Sequence, residues 1–439
     1  MTNKLLFLLF LATFGLGGCK SVIAPPGNAN PPNVILIMAD DMGYECLSSN
    51  GSLSYQTPVL DQIAAKGIRF TNCIAQPLCT PSRVKIMTGQ YNFRNYENFG
   101  YLNPNQPTFG QFMKKAGYAT AIAGKWQLNG LSFELAGYQD NKRPHHFGFD
   151  EYCLWQLTQD RKAGERFANP LIEQNGQLLE RDENAYGPDI FANYVIDFIT
   201  RNKEKPFFIY YPMVLVHNPF VPTPDSDAWT DLKTRSKQDT TYFKDMVAYT
   251  DKIVGRIQQH LQKLGLEENT ILLFTGDNGT NRAIVSKTQD GPIYGFKGNT
   301  TLAGTHVPFI ASWPAKIKKG KIHDGLISFS DFYPTLAALV GQKVDSDGQS
   351  FLPLLNGASY QSPETLMVHY DPRWGKEVNA FRNLFAQTTK YKLYQDGKMY
   401  DLHKDPLEQS PLQQQELTDN LLAIRQQLQS VLDQAPRWE

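Results

Sequence analysis

The chain has 439 residues, of which 41% are hydrophobic and 20% are charged, and this composition excludes a disordered protein. The length suits one large α/β domain with a smaller subdomain. Because 43 Lys and Arg residues balance 43 Asp and Glu residues, the formal net charge is zero. A neutral chain does not have the overall basic charge typical of nucleic-acid binding, so any anion site must come from a local cluster of cations.

The N-terminus predicts an exported protein. A short apolar run at 5–16 follows a positive charge and is too short to span a membrane, which is typical of a signal peptide over residues 1–18. The sequence LGGC, ending at Cys19, is similar to a bacterial lipobox, in which the cysteine is lipidated. An ordinary cleaved signal with an incidental cysteine is the alternative. With residues 19–32 as a Pro-, Gly- and Asn-rich tether, we expect a membrane-anchored bacterial lipoprotein that faces the periplasm or the cell exterior.

The remaining cysteines do not form a disulfide framework. Apart from Cys79, which belongs to a motif described below, the mature chain has Cys46, Cys73 and Cys153. One disulfide is compatible with this odd number in an oxidising compartment, but the sequence does not assign its partners.

Predicted strands and helices alternate through most of the chain. Continuous apolar runs predict buried strands, and apolar residues at a spacing of three to four predict helices. The predicted strands are 33–39, 119–123, 206–216, 270–275 and 305–313. The predicted helices are 57–66, 108–116, 188–201 and 242–264. Such an alternation predicts a doubly wound α/β domain, in which ligands bind beyond the carboxyl ends of the strands.

The pattern changes near residue 347. Three short, aromatic-rich segments and a final helix follow, at 367–370, 384–388, 391–394 and 418–432. We therefore predict an N-terminal catalytic domain over residues 33–346 and a C-terminal α+β subdomain over residues 347–439 with a short antiparallel sheet.

Two pairs of polar residues follow buried strands. Asp40 and Asp41 come after the first strand, and Asp277 and Asn278 come after a later one. Either pair alone is more typical of a solvated turn. Together they supply three carboxylates and an amide carbonyl, which suit a hard cation such as Ca²⁺ or Mg²⁺, and the Cys/His spacing of a zinc site is not found.

The segment CTPSR at 79–83, with a Thr-Gly pair downstream, resembles the Cys-x-Pro-Ser-Arg motif of type I sulfatases. The resemblance implies that a maturation enzyme converts Cys79 to formylglycine, and that Cys79 joins the four residues above at the metal. One hydroxyl of the hydrated aldehyde then attacks sulfur, and the other expels sulfate. The resemblance gives Arg83 the role of stabilising this nucleophile. Without it, Cys79 is interpreted as a small buried residue or a reactive thiol.

The same resemblance implies a set of groups for the sulfate. Lys125, in a Gly-Lys-Trp segment, and Lys297, in a Gly-Phe-Lys-Gly segment, resemble the two lysines that contact sulfate in the family. His217 resembles the histidine beside the leaving oxygen, where it can supply a proton. Taken singly, each lysine is typical of a solvated surface and His217 of a loop.

Two positions depart from the family pattern. Gln127 stands where the family usually has a histidine that takes a proton during sulfate release. Glutamine is not a general base at neutral pH, although its amide can hydrogen-bond sulfate or substrate. His306 stands where arginine is frequent; we expect a structural role, and it is the first candidate for a substitute base.

The resemblance covers nearly all of the mature chain and implies the alkaline-phosphatase-like fold: a large, mostly parallel mixed sheet between helices, with a small C-terminal subdomain. A polar and aromatic cluster in that subdomain includes His369, Arg373 and Trp374, which we expect to contact the sugar. Packing and ion pairing explain such a cluster equally well.

The sequence therefore predicts a metal-dependent sulfatase acting on a sulfated polysaccharide or oligosaccharide of algal or host origin. A phosphoesterase of the same superfamily is one alternative, although those relatives use Ser, Thr or His-rich sites. The other is a sulfated-glycan-binding relative with weak turnover, which would not require the cysteine motif.

Overall fold

The computed structural model describes residues 31–436. The strands are β1 (Asn33–Ala39), β2 (Ile68–Ile74), β3 (Ala119–Lys125), β4 (Glu151–Trp155), β5 (Glu173–Gln174), β6 (Gln177–Leu178), β7 (Phe207–Pro212), β8 (Thr270–Gly276), β9 (Val285–Thr288), β10 (Gly291–Tyr294), β11 (His306–Ser312), β12 (Lys321–Ser328), β13 (Leu366–Tyr370), β14 (Asn383–Gln387), β15 (Tyr391–Tyr394) and β16 (Met399–Asp401). The helices are α1 (Pro58–Lys66), α2 (Cys79–Thr88), α3 (Asn92–Asn95), α4 (Phe109–Lys115), α5 (Arg143–His146), α6 (Gly187–Arg201), α7 (Phe243–Lys263), α8 (Leu302–Thr305), α9 (Phe332–Leu339), α10 (Leu352–Leu355), α11 (Lys376–Asn379) and α12 (Asp419–Leu432).

A ten-stranded sheet runs through the larger part of the molecule, in the order β12-β2-β11-β8-β1-β7-β3-β4-β5-β6. Its centre is parallel: β1 pairs with β7 and β8, and β3 pairs with β7 and β4. β11 and the short strands at the β5–β6 edge run antiparallel to their neighbours. The predicted α/β fold with a large mixed sheet is confirmed.

Both faces of this sheet are covered. Alternate side chains of β1 enter two different cores, with Ile35 and Ile37 on one face and Leu36 and Met38 on the other. The first core includes residues of α6 and α7, and the second includes residues of α2, α4 and α9. This double burial is why β1 is a continuous apolar run rather than an alternating one.

The C-terminal part forms a four-stranded antiparallel sheet in the order β13-β14-β15-β16. One face packs on α12, where Met367 and Leu393 share a core with Leu428. On the other face Val368 and Phe385 share a core with Leu78 and Cys79, so this small sheet packs against the predicted nucleophile.

Two features differ from the sequence-based expectations. The predicted strand 206–216 ends at Pro212, where its regular pairing with β1 stops. Beyond it, the carbonyl of Leu215 accepts a hydrogen bond from the backbone N–H of Asp40, and the N–H of Val216 donates to the carbonyl of Asp40. The CTPSR motif lies at the start of a helix that its sequence did not predict. Cys46, Cys73 and Cys153 are buried and free, so the structure pairs none of them.

The predicted signal peptide, Cys19 and nearly all of the tether lie outside the described residues. Among the residues that are described, no helix has the length and apolar character needed to cross a membrane.

Candidate active site

The carboxylates meet because their strands are neighbours in register. β1 and β8 run parallel, with Ala39 opposite Gly276, so the residues that follow each strand emerge side by side. The backbone N–H of Asp41 donates to Oδ1 of Asp277 at 2.9 Å, and Asp41 adopts a left-handed backbone with φ of 61°. The side chains of Asp40, Asp41, Asp277 and Asn278 are all buried at this edge of the sheet.

This arrangement has the properties of a cation site. Ligand atoms of Asp40, Asp277 and Cys79 lie within 4.8 Å of one another. The amide nitrogen of Asn278 donates to Oδ1 of Asp41 at 2.9 Å, and its buried carbonyl oxygen has no hydrogen-bond partner. Buried carboxylates beside an orphaned carbonyl match the oxygen-rich ligand set that hard divalent cations require.

The carboxyl groups also perturb one another. Burial alone would raise the pKa of Asp40, but nearby cations, first of all Lys125, hold it well below its usual range. Burial and the adjacent Asp40 together raise the pKa of Asp277. Because like charges this close oppose joint ionisation, a divalent cation would relieve the repulsion between them.

Helix α2 places the cysteine against this cluster. Cys79 is its first residue, and Arg83 lies one turn further on the same face. Arg83 donates through Nη1 to the carbonyl of Lys125 at 2.9 Å and through Nη2 to Oδ2 of Asp277 at 3.3 Å. Arg83 thus ties the N-terminal turn of α2 to the ends of two strands. Burial raises the pKa of the Cys79 thiol, although Lys125 and Lys297 act in the opposite direction.

Two lysines and a histidine complete the polar groups. Lys125, the last residue of β3, donates to both oxygens of Asp40 at 2.8 and 3.0 Å. Lys297 lies 2.6 and 2.7 Å from the two oxygens of Asp41. His217 lies with Nε2 3.7 Å from Asp41, and burial lowers the pKa of its imidazole well below the usual value.

Gln127 adjoins the cysteine directly. Its backbone is left-handed, with φ of 52°, and its Oε1 accepts a hydrogen bond from Cys79 Sγ at 3.3 Å. Gln127, which stands where the family usually has histidine, therefore contacts Sγ of Cys79 although its amide does not titrate.

These groups surround a cavity of about 260 Å³. The residues around it are Leu78, Cys79, Phe99, Lys125, Gln127, Trp155, Gln156, Arg161, Arg166, His217, Asn218, Asn281, Lys297 and Trp374. The cavity therefore unites the predicted nucleophile, both predicted lysines and the predicted histidine.

Sequence reasoning missed Gln156, Arg161 and Arg166. Arg166 contacts His217, since its Nη2 lies 3.0 Å from Nδ1, and its guanidinium stacks on Trp155 at 4.4 Å from the ring centroid. Burial lowers the pKa of this guanidinium, although the negative charges of Asp40, Glu165 and Asp41 act in the opposite direction. Both arginines lie in a polar loop without periodicity, so no sequence pattern distinguished them from surface charges.

Three predicted substrate residues are absent from the cavity lining. His306 stacks on Tyr44 with ring centroids 4.0 Å apart and lies 2.8 Å from the carbonyl of Thr71; burial lowers its pKa to about 4. His369 is buried in β13, where it makes an edge contact with Phe93.

Arg373 pairs with Asp371 at 2.9 Å instead of lining the cavity. Of the predicted C-terminal cluster, only Trp374 lines it, stacked on Phe99 with ring centroids 4.1 Å apart. His306 therefore has no contact with the cavity through which it could replace the histidine base that is absent at Gln127. Of the predicted C-terminal cluster, Trp374 alone is placed to contact a substrate in the cavity.

Comparison with known proteins agrees with this geometry. The sequence model of the Sulfatase family matches residues 32–342, and a model of the C-terminal part of N-sulphoglucosamine sulphohydrolase matches residues 302–435. The chain is 29% identical to N-acetylgalactosamine-6-O-sulfatase of Bacteroides thetaiotaomicron, covering 91% of this chain and 93% of that protein. It is 32% identical to human arylsulfatase A, covering 83% and 75%.

A solved Bacteroides thetaiotaomicron structure, described in connection with the metabolism of multiple glycosaminoglycans, superposes with a TM-score of 0.73 at 25% identity over 92% of this chain and 99% of that one. The match extends from the large sheet through the C-terminal sheet. The chain therefore belongs to the sulfatase family of the alkaline-phosphatase-like superfamily and is an enzyme that hydrolyses sulfate esters.

Proposed function

We propose that this sulfatase removes sulfate from a sulfated oligosaccharide or polysaccharide, with a nucleophile made from Cys79 and a divalent cation beside it. The observation that carries the proposal is the position of Cys79, at the start of α2, between the buried carboxylates and the two lysines. Each of these groups has a distinct task in sulfate transfer.

The cation would be held by Asp40, Asp41, Asp277 and Asn278, with the modified side chain of Cys79 as a further ligand. All are hard oxygen donors after modification, which favours Ca²⁺, with Mg²⁺ as the alternative. When bound, the cation would lower the pKa of the nucleophilic hydroxyl and neutralise charge on a sulfate oxygen.

Conversion of Cys79 to formylglycine is supported by the CTPSR motif and by the environment of the thiol. Burial raises its pKa, so an unmodified cysteine would be mostly protonated and a poor nucleophile. The hydrated aldehyde would instead supply an oxygen nucleophile. Arg83, fixed on Asp277, holds the turn that carries this side chain and adds positive charge near it.

The remaining side chains bind and orient the ester. Lys125 and Lys297 present ammonium groups from two sides of the cavity, where they stabilise the negative charge that builds on the sulfuryl oxygens. His217 lies beside them, and because burial lowers the pKa of its imidazole, the neutral ring would donate a hydrogen bond to the leaving oxygen rather than act as an imidazolium acid. Gln127 supplies a hydrogen bond but no base, so we assign the proton released with sulfate to water.

A carbohydrate leaving group is supported by the far side of the cavity. Trp374 is 39% exposed and stacks flat on Phe99, which presents an aromatic face at the mouth. Aromatic faces combined with a few polar groups are typical of small-molecule sites. The relative N-acetylgalactosamine-6-O-sulfatase is named for a sulfated sugar, which agrees with this choice.

The experiment that tests the proposal is release of inorganic sulfate from a panel of sulfated oligosaccharides, compared with phosphate release from matched phosphate esters. We expect sulfate release from at least one sugar and much slower phosphate release. Faster hydrolysis of the phosphate esters would favour the phosphoesterase alternative, and tight glycan binding without turnover by fully matured protein would favour the binding alternative.

We also infer export and lipid anchoring from the apolar run and the LGGC sequence at Cys19. Replacement Cys19→Ser should move the protein from the membrane fraction to the soluble exported fraction. Unchanged fractionation would contradict lipidation at this residue.

A further inference from the structure

The cavity around Cys79 contains more positive charge than one sulfate group uses. Lys125 and Lys297 each contact a carboxylate of the cluster, and so does Arg83 behind them. Two other cations line the same cavity, Arg161 and Arg166. The charges of Asp40 and Asp41 act on Arg166, but within residues 31–436 neither arginine has a carboxylate at ion-pair distance.

Arg166 is held rigidly but keeps unused donors. It is 6% exposed, its guanidinium stacks on Trp155, and its Nη2 contacts Nδ1 of His217 and the carbonyl of Asn218. Its Nε, which is buried, has no hydrogen-bond partner. A guanidinium has five N–H donors in a fixed fork, so this contact pattern leaves donors for a planar anion.

The position of Arg166 relates it to the leaving group. His217 lies beside the ester oxygen in the proposed function, and Arg166 touches that histidine on its other nitrogen. Arg161 is exposed and lines the same wall. A ligand group that reached both arginines would belong to the sugar rather than to the transferring sulfate, because the proposed function assigns that sulfate to Lys125 and Lys297.

A second polar side chain on this wall also lacks a partner. Gln156 is 7% exposed and lines the cavity, and its Oε1 is buried without a hydrogen bond. An acceptor next to two arginines suits a sugar hydroxyl adjacent to an acidic group, because an anion would satisfy the arginines and the hydroxyl would donate to the amide.

We propose that the substrate carries a second acidic group, a carboxylate or a further sulfate, close to the sulfate that is removed, and that Arg161 and Arg166 bind it. This inference rests on the proposed function, since it takes the cavity at Cys79 as the substrate site. It narrows the substrate class from sulfated sugars to sugars with two anionic groups near the reacting ester.

Two substrate pairs test the inference and show whether the second acidic group is a carboxylate or a further sulfate. One pair is a disaccharide of a uronic acid and a sulfated N-acetylhexosamine, compared with the same disaccharide after reduction of its carboxyl group to the alcohol. The other is a disulfated hexosamine compared with its monosulfated form. We expect kcat/KM to be at least roughly tenfold higher for the acidic member of one pair than for its neutral counterpart. A tenfold change corresponds to the free energy that a hydrogen bond to a charged group contributes.

The variant Arg161→Gln should remove most of that preference, because it should raise KM for the acidic member far more than for the neutral member. Lys162→Gln is the matched control, because it removes the same charge from the next residue, which does not line the cavity. Equal kcat/KM within both pairs, or an equal loss on both members in Arg161→Gln, would overturn the inference.

A binding measurement keeps the two proposals distinguishable. If no substrate of the panel releases sulfate, the proposed function fails, and calorimetry of the same pairs on the Cys79→Ala protein decides the inference alone. Binding of an acidic member at least roughly tenfold tighter than its neutral counterpart, lost on adding Arg161→Gln, supports it. Equal affinities contradict it.

Discussion

Two buried groups of charged side chains in this molecule differ in how fully protein atoms satisfy their hydrogen bonds. At the carboxyl end of the large sheet, three carboxylates face lysines and an arginine around a cavity, and the carbonyl of Asn278 has no partner. In the C-terminal subdomain, Lys392 donates to Glu408 at 2.9 Å and to the carbonyl of Thr300, and Glu408 also accepts from Tyr394 and from the backbone of Leu302.

The difference indicates which charges serve a ligand. The pair of Lys392 and Glu408 is enclosed and satisfied by protein atoms, so it joins β15 and a later turn to the loop before α8. The cluster at Asp40 is equally buried but incomplete, since its carboxylates repel one another and its amide lacks a donor. Buried polar groups are normally satisfied, so buried carboxylates and an unpartnered carbonyl beside a cavity indicate a site for a cation or a substrate.

The largest expected effect comes from Cys79→Ala. Loss of the nucleophile should lower kcat by at least about 10⁴-fold, with the free energy of unfolding changed by no more than about 1 kcal/mol. Cys73→Ala is the control, because Cys73 is also buried and free but lies outside the cavity. Similar kcat values for the two variants would show that Cys79 is not the source of the nucleophile.

Breaking the satisfied pair should act on stability instead. Glu408→Ala strands the buried ammonium of Lys392 and should lower the free energy of unfolding by about 3–5 kcal/mol. The double variant Lys392→Met with Glu408→Leu should cost less than Glu408→Ala alone, because no buried charge is left. Denaturant unfolding checks both. A destabilisation below about 1 kcal/mol for Glu408→Ala, the value of an exposed pair, would contradict the assignment.

Removal of divalent cations sharpens the comparison. A chelator should lower activity by more than about 100-fold, which is the largest loss typical of mutating side chains that hydrogen-bond a metal's ligands. Added Ca²⁺ should restore the activity. Saturating Ca²⁺ at 100 times its Kd should also stabilise the folded protein by about 2.7 kcal/mol. The variant Asp277→Asn should lose this stabilisation, whereas the Lys392 and Glu408 double variant should keep it. A Ca²⁺ response retained in Asp277→Asn would place the cation elsewhere.

The smallest expected effect concerns Gln127. Because an amide does not titrate near neutral pH, Gln127→His should add an ionisation to the pH profile of kcat that the original protein lacks. Steady-state rates between pH 5 and 9 would reveal it. Superimposable profiles would mean that this side chain takes no part in proton transfer.

The sequence predicted five of the ten strands of the large sheet, because buried strands are long apolar runs. The strands that it did not predict are β2, β4, β5, β6 and β12. β1 and β15 match their predicted ranges to the residue, and β8 extends one residue beyond its range. Tertiary contacts, which no single segment encodes, explain the failures. Residues 213–216 are as apolar as a strand, but they lie beyond the end of β7 and hydrogen-bond irregularly to Met38 and Asp40. His217, which follows them, lines the cavity.

The site residues also fall into two classes: those in recognisable sequence motifs, and those that only the fold brings to the cavity. Cys79 and Asp40 belong to short motifs with recognisable spacing, and the structure places their ligand atoms within 4.8 Å of each other. Arg166 becomes distinctive only when the fold stacks it on Trp155 and against His217. We expected a structural role for His306, with a substitute base as the alternative, and its ring packs on Tyr44 and does not line the cavity.

Mass spectrometry of the peptide that contains Cys79, from protein made in a bacterial host with a formylglycine-generating enzyme, tests the central claim most directly. We expect an aldehyde or its hydrate in place of the thiol, and sulfatase activity in proportion to the converted fraction. Full activity in protein whose Cys79 is entirely unmodified thiol would contradict the proposed nucleophile.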